Sequence, residues 1–174
     1  MSTFIVLERH HHTVSRESLD PPPTALGFVE LYRDRYVPMV RLAYLLTSDQ
    51  AVAEELVQDA FVKVHRQWDR GIDHPKAYLR TAVVNTCHSW GRRKVRESDH
   101  HRRRLEAVPD EALVTDEMGD ILAVLPDRQR AAIVLRFYED LPDHEIAQIL
   151  QCRPNTVRTL VHRGLQALRQ EVPR

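Results

Sequence analysis

The residues near the end of this chain could recognise DNA, because polar and basic side chains recur there along one face of a helix. In LPDHEIAQILQCRPNTVRTLVHRGLQALR, residues 141–169, a short apolar pattern breaks at Gln151–Pro154, and a second helix begins near Asn155, whose side chain can cap it. At 100° per residue, one arc of this helix holds Val157, Leu160, Val161, Leu165 and Leu168. The opposite arc holds Asn155, Thr159, His162 and Gln166, flanked by Arg158, Arg163 and Arg169. Such side chains suit base edges and phosphates, so the pattern predicts a DNA-reading helix-turn-helix.

A second candidate surface lies on the long helix predicted over Asp49–Trp68. Its apolar arc comprises Val52, Ala53, Leu56, Val57, Ala60 and Val64. The opposite arc comprises Glu55, Gln58, Asp59, Val62 and Arg66, with Phe61 at its edge. A solvated helix face is the simpler interpretation of this arc taken alone. Apolar residues rimmed by acids and amides also fit a protein-docking face, because they combine water-excluding area with specific charges.

Further helices must position these two surfaces. Apolar residues recur at helical spacing over Phe28–Leu46, where Pro38 is expected to kink the helix or to start a new one. Pro75 fits the first position of a third helix, which is expected to break near Asn85–Thr86 and to resume through Trp90. Later apolar positions predict a short helix ending at Pro126 and another over 128–138.

The composition favours helix bundles. Only 6% of the 174 residues are aromatic, 29% are charged and five are glycine, and no segment alternates as a strand would. We therefore predict an all-α fold of two small helical domains joined by a flexible linker. The expected divisions are a flexible extension over 1–24, a first domain over 25–96, a linker over 97–115 and a helix-turn-helix domain over 116–174. The His10–His12 run is interpreted as part of a solvated tail, and no metal site is predicted.

The charge is balanced overall but segregated along the chain. Residues 91–104 are strongly basic, whereas 106–120 are acidic and contain no Lys or Arg. A formal net charge of zero can therefore hide a local DNA-binding surface. Cys87 and Cys152 lie far apart and are expected to be thiols rather than a disulfide. No run approaches transmembrane length, and Phe4–Leu7 is too short for a signal peptide, so we expect a cytoplasmic protein.

The order of these features resembles a bacterial extracytoplasmic-function sigma factor, the smallest class of the sigma-70 family. The resemblance covers roughly Ala25–Arg169. Its strongest matches are AYLLTSDQAVAEELVQDAFVKVHRQW, HPKAYLRTAVVNTCHSWGRRK and LPDRQRAAIVLRFYEDLPDHEIAQILQCRPNTVRTLVHRGLQALR. YLLTSD and NTCHSWGRR are most similar to actinobacterial members. The resemblance implies a non-enzymatic sigma subunit that needs no cofactor, binds core RNA polymerase, recognises two promoter elements and helps to open the DNA.

The resemblance also assigns roles to particular residues. Core polymerase would be bound by Glu55, Gln58, Asp59, Phe61 and Val62. In the minus-ten region, Asn85 matches a polar loop residue that captures a base flipped from the non-template strand. The separated strand would be followed by His88, Trp90, Arg92, Arg93 and Lys94. From the residues alone, Asn85 would be a helix cap, and Trp90 is equally suited to core packing.

For the minus-thirty-five element, the resemblance implicates the second helix of the helix-turn-helix. Bases would be read by Arg158, Thr159, His162 and Arg163, and phosphates would lie near Arg153, Asn155 and Thr156. The resemblance also implies an anti-sigma factor as a partner. Two departures from the family stand out: Pro142 replaces a Ser or Thr, and Gln151–Cys152 replaces the glycine common in helix-turn-helix turns.

Two other functions must be compared with that of a sigma factor, and the helical pattern argues against the second. A helix-turn-helix transcriptional regulator that does not replace a sigma subunit would explain the C-terminal domain, but it would leave residues 25–104 without a role. A site-specific recombinase would need a nucleophile in an α/β domain, which this helical pattern does not supply.

Overall fold

The computed structural model describes residues 23–101 and 117–171, and within these ranges the chain forms seven α-helices and no strand. The helices are α1 (Pro23–Thr47), α2 (Gln50–Trp68), α3 (Pro75–His101), α4 (Glu117–Ala123), α5 (Asp127–Phe137), α6 (Asp143–Ile149) and α7 (Pro154–Glu171). The predicted all-α fold is confirmed. Most of the predicted linker, and the predicted extension up to residue 22 with its His10–His12 run, lie outside the described residues.

Helices α1, α2 and α3 form the N-terminal module around one apolar core. Its centre includes Leu42 of α1, Val57 of α2 and Val83 of α3, all fully buried. Asp49 fixes the start of α2, because its side chain accepts a hydrogen bond from the backbone N–H of Val52 at 3.0 Å. The buried residues of α2 include Leu56, Val57 and Val64, so the apolar arc predicted for this helix faces the core as expected.

The helices are more continuous than the sequence predicted. Helix α1 passes through Pro38 as one helix, so no new helix begins there, and the adjacent Met39 is fully buried. Helix α3 likewise continues through Asn85 and Thr86 to His101, so the predicted break there is wrong. The Thr86 hydroxyl donates to the carbonyl of Ala82 at 2.8 Å, and such bonding one turn back lets polar residues remain within a helix.

Helices α4 to α7 form the C-terminal module, which contains the helix-turn-helix. Ile146 of α6 and Val157 of α7 are fully buried against α5. The turn after α6 places Gln151 at φ +50°, and the Cys152 N–H donates to the carbonyl of Ala147 at 2.9 Å. This geometry is a Schellman motif, so Gln151 adopts the left-handed conformation that a glycine would occupy in related turns.

The two modules pack directly against each other. Helices α4 and α5 contact α1, and the ends of α5 and α6 approach α3. Cys87 is buried in the N-terminal module and Cys152 is half-buried in the C-terminal one, and both are free thiols, as predicted. Burial raises the pKa of the Cys87 thiol to about 12.

Candidate nucleic-acid interface

The outward face of α7 carries the side chains that the sequence predicted to read DNA. All seven are exposed: Arg153, Asn155, Thr156, Arg158, Thr159, His162 and Arg163. Val157 is buried, and the rest of the predicted apolar arc is partly buried against the module core. Pro154 occupies the first helical position, which suits its fixed φ. Asn155 therefore lies inside the first turn and does not have the predicted capping position.

One member of this face is already paired within the helix-turn-helix. The Arg158 Nε lies 3.0 Å from Oδ2 of Asp143, at the start of α6, and the Arg136 guanidinium contacts the other carboxylate oxygen. The Arg158 side chain nevertheless remains 70% exposed. Asp143 thus joins the two helices of the motif and holds a cation at the recognition surface.

On α3, the exposed Asn85 lines a small pocket between α2 and α3. The pocket has a volume of about 280 Å³ and is lined by Lys63, Tyr78, Thr81, Ala82, Asn85, Thr86 and Ser89. The Lys63 Nζ donates to the Thr86 hydroxyl at 3.1 Å, which holds this ammonium group at the pocket wall. Pocket walls of amide, hydroxyl, ammonium and one aromatic ring can hydrogen-bond and stack on a single planar base. Sequence reasoning identified Asn85 but missed Lys63 and Tyr78, which only the α2–α3 packing brings beside it.

The next turns of α3 present a mixed surface. Arg92, Arg93 and Lys94 are exposed, as a DNA-tracking role requires. Trp90 is half-buried against the core, and the Lys94 Nζ lies 4.7 Å from its ring centroid in a cation–π contact.

His88 differs from its neighbours because it faces the C-terminal module. Burial lowers its pKa, the nearby Asp127 acts in the opposite direction, and Arg128 and Arg92 lower the pKa further. Its Nε2 atom is buried and has no hydrogen-bond partner among the described residues. His88 is therefore not free to follow a DNA strand while the modules are packed in this way.

The proposed docking face of α2 is exposed with one exception. Glu55, Gln58 and Asp59 are exposed, and Val62 is 49% exposed. Phe61 is only 3% exposed, so its prediction as a surface contact is not supported by its position. Its ring instead packs against those of Phe28, Tyr32 and Tyr36, with the Tyr32 and Phe61 centroids 4.8 Å apart.

Sequence reasoning missed an apolar strip on α1 beside this face. Val29 and Tyr32 are about 40% exposed, and the Tyr32 ring stacks on Tyr36 at 5.1 Å. The spacing at 29, 32 and 36 was the available signal, because these positions share one face of a helix. Their exposure, and the packing of Tyr32 against Phe61 of α2, could not be read from α1 alone.

Comparison with known proteins decides the family. Residues 31–97 match Sigma-70 region 2 and residues 115–168 match Sigma-70 region 4. The RNA polymerase sigma-E factor of Streptomyces avermitilis is 35% identical over 162 residues, covering 84% of this chain and 86% of that protein. The chain is a sigma factor of the sigma-70 family. Its function is that of the family, promoter-directed initiation of transcription by RNA polymerase.

Other relatives agree with this assignment. The sigma-E factor of Streptomyces coelicolor is 32% identical over the same length, and several relatives are named extracytoplasmic-function sigma factors, as the sequence indicated. The sigma factor RpoE of Bartonella quintana, solved with the anti-sigma factor NepR, superposes with a TM-score of 0.68 at 25% identity. That superposition covers 85% of this sigma factor and 99% of RpoE, so it includes both modules. Among the described helices, none is long and apolar enough to span a membrane.

Proposed function

We propose that this sigma factor divides promoter recognition and polymerase binding among three helices. The exposed arc of α2 binds core RNA polymerase, α3 binds the opened minus-ten element, and α7 reads the minus-thirty-five element as duplex. The observation that carries the proposal is the division of α7 into a buried apolar arc and an exposed polar one. A helix held by its apolar arc and exposing Arg, Asn and Thr is suited to the major groove.

At the minus-thirty-five element, base reading is assigned to the middle of α7. Arg158, Thr159, His162 and Arg163 point away from the core there, while Arg153, Asn155 and Thr156 at the helix start lie where phosphates are bound. Arginine can form two hydrogen bonds with guanine, so Arg158 and Arg163 are the main candidates for specificity. We infer that Asp143 orients Arg158 before DNA arrives.

At the minus-ten element, the pocket beside Asn85 receives one unstacked base. The Asn85 amide offers a donor and an acceptor to a base edge, Tyr78 offers a ring, and Lys63 supplies positive charge at the wall. Arg92, Arg93 and Lys94 then contact the phosphates that follow along the separated strand. This assignment explains why an exposed asparagine lies in mid-helix, where helix propensity alone gives it no advantage.

Core polymerase binding is assigned to Glu55, Gln58, Asp59 and Val62, and Phe61 supports this face from beneath. The aromatic rings around Phe61 hold Tyr32 next to the same face and extend its apolar area. Apolar area provides water exclusion, and the acidic rim provides orientation toward a basic partner surface. An anti-sigma factor is the second protein partner that we propose, since the superposed RpoE was solved with one.

Run-off transcription with purified core polymerase tests the proposed function. Fragments from the chain's own genome are transcribed with and without the protein, and the upstream sequences of dependent transcripts are aligned. The expected result is a set of new transcripts that share two spaced elements. If the protein binds DNA but yields no initiation that depends on core polymerase, it acts instead as a helix-turn-helix regulator. The assignment of the α2 face to polymerase binding would then be wrong.

A further inference from the structure

The three hydroxyl groups that line the pocket beside Asn85 have already committed their protons. Thr81, Thr86 and Ser89 each donate to the backbone carbonyl one helical turn earlier, at 3.0, 2.8 and 2.9 Å respectively. A carbonyl oxygen can only accept, and each hydroxyl carries a single proton. In this arrangement the three side chains therefore offer a bound molecule acceptor lone pairs and no donor.

Lys63 supplies the opposite polarity from α2. Its Nζ atom carries three N–H groups, one of which donates to the Thr86 hydroxyl oxygen at 3.1 Å. Thr86 is only 6% exposed, so this bond holds the ammonium group against a buried anchor, whereas Lys63 itself is exposed. Two N–H groups that share one positive charge are thus left for a molecule in the pocket.

The other polar groups of the pocket do not select between bases by themselves. The Asn85 amide carries an acceptor oxygen and a donor nitrogen, and turning the amide over exchanges their positions, so it can pair with any base edge. Tyr78 offers a ring for stacking and a hydroxyl group that either donates or accepts. Selection therefore depends on the contrast between Lys63, which only donates, and the hydroxyl oxygens, which only accept.

The four bases differ in the order of donors and acceptors along their edges. Two adjacent acceptors followed by a donor occur on cytosine, as O2, N3 and the N4 amino group, and on guanine, as N7, O6 and N1–H. Lysine can bond to the adjacent N7 and O6 atoms of guanine. Thymine instead places its N3–H between two carbonyl acceptors, and adenine has only one acceptor on either side of its amino group. Two N–H groups on one nitrogen therefore suit cytosine or guanine better than thymine or adenine.

We propose that Lys63 determines which base the pocket beside Asn85 accepts, and that this base is cytosine or guanine. The two remaining N–H groups of Lys63 bond to the adjacent acceptors of the base, and the hydroxyl oxygen of Thr81 or Ser89 accepts from the neighbouring donor. Thr86 is a positioning residue, because it acts on the base through Lys63. The inference rests on the proposed binding of the opened minus-ten element by α3, and it adds the chemical class of the captured base.

Binding of short, fluorescently labelled single strands tests this selection. The strands repeat dT–dT–dX, where dX is dC, dG, dA or dT. Anisotropy is measured with the full-length protein alone and with its complex with core polymerase, and core polymerase alone is the reference. At least one of the dC and dG strands should bind about tenfold more tightly than the dA and dT strands, as expected for one good base contact. The tighter of the two identifies the base.

Matched variants separate selection by Lys63 from attraction to phosphates. Lys63→Met should abolish the preference, because methionine keeps an apolar stem but donates no hydrogen bond. Lys76→Met removes the same charge from an exposed lysine of α3 that does not line this pocket, so it should change the affinity for all four strands by the same factor. Thr86→Val should lower the preference by about threefold with no change in net charge, since Lys63 loses its anchor. Circular dichroism checks that each variant is folded.

The results distinguish failure of this inference from failure of the proposed function. Equal binding of the four strands, or a preference that survives Lys63→Met, would overturn the role of Lys63. A preference for dA or dT would overturn the assigned class of base. Absence of binding to every strand, with and without polymerase, would remove the minus-ten assignment of α3 and the base selection together.

Discussion

Arg158 and Asp143 are paired across the helix-turn-helix, with the Nε of the recognition-helix arginine 3.0 Å from the carboxylate at the start of α6. Because the same carboxylate contacts Arg136, it stays anchored to α5 whether or not Arg158 is engaged. The arginine is thus pre-positioned at the DNA surface but remains mostly exposed. Pre-positioning reduces the conformational freedom that Arg158 would lose on forming two hydrogen bonds with a base.

Arg158→Ala should reduce discrimination at one base pair of the minus-thirty-five element by about 1–3 kcal/mol. Asp143→Asn should reduce discrimination at the same base pair by less, because Arg158 stays present but is held less firmly. Fluorescence anisotropy with duplexes substituted at each position measures both effects, and Arg70→Ala, at an exposed arginine that follows α2, is the matched control. A uniform loss across all duplexes would instead make Arg158 a phosphate contact.

Asn85→Ala should impair promoter opening more than duplex binding. The amide is assigned to a base that becomes accessible only after strand separation, so the closed promoter complex does not use it. We expect open-complex formation to fall by about tenfold, in line with loss of a base contact worth roughly 1–3 kcal/mol. Permanganate reactivity of unpaired thymines measures opening, and mobility shift measures duplex binding. Equal losses in the two measurements would show that Asn85 does not capture a base.

Val62→Asp should weaken binding to core polymerase by at least tenfold while leaving the free energy of unfolding within about 0.5 kcal/mol. The side chain is exposed, so the substitution buries no charge in the free protein. Val37→Asp is the matched control, because Val37 is also an exposed valine but lies on α1 outside the α2 face. If a competition assay shows that Val62→Asp leaves the affinity for core polymerase unchanged, Val62 does not take part in polymerase binding.

His88 should make the free energy of unfolding of this protein depend on pH. Its pKa is lowered from 6.5 by burial and by Arg128 and Arg92, against the opposing effect of Asp127, so the folded state favours the neutral ring. The unfolded chain therefore binds the proton first, and stability should be full above about pH 6.5 and fall as the pH drops through the folded pKa. Urea unfolding between pH 5 and 8 measures this slope. His88→Gln should flatten it, whereas His144→Gln, at an exposed position, should not.

Gln151→Gly should stabilise the helix-turn-helix by up to about 1 kcal/mol, because φ +50° carries a steric cost for any side chain with a Cβ atom. Gln151→Val should destabilise it, since branching at Cβ makes the left-handed conformation still less favourable. Thermal unfolding of the full chain measures both changes. A glycine variant less stable than the original would show that the Gln151 side chain makes a compensating contact.

The residues predicted to lie on α7 show why that element could be described in advance. A period of 3.6 residues fixes which side chains share a face, and the apolar arc must be buried, so the exposure of Arg158 and Thr159 follows from local sequence. The same reasoning correctly placed Gln58 and Val62 on the outside of α2. It failed for Phe61, at the edge of the arc, because only the rings contributed by α1 decide on which side such a residue lies.

The sequence by itself determined the two helical modules, the orientation of their amphipathic helices and the family. Only the tertiary structure decided that α3 is continuous, that Lys63 and Tyr78 join Asn85, and that Arg80 meets Glu139 across the two modules. The physical reason is the range of the interactions. Helical periodicity and capping act within a few residues, whereas the contact between the modules joins groups that are separated by the intervening chain and have no periodic relationship in the sequence.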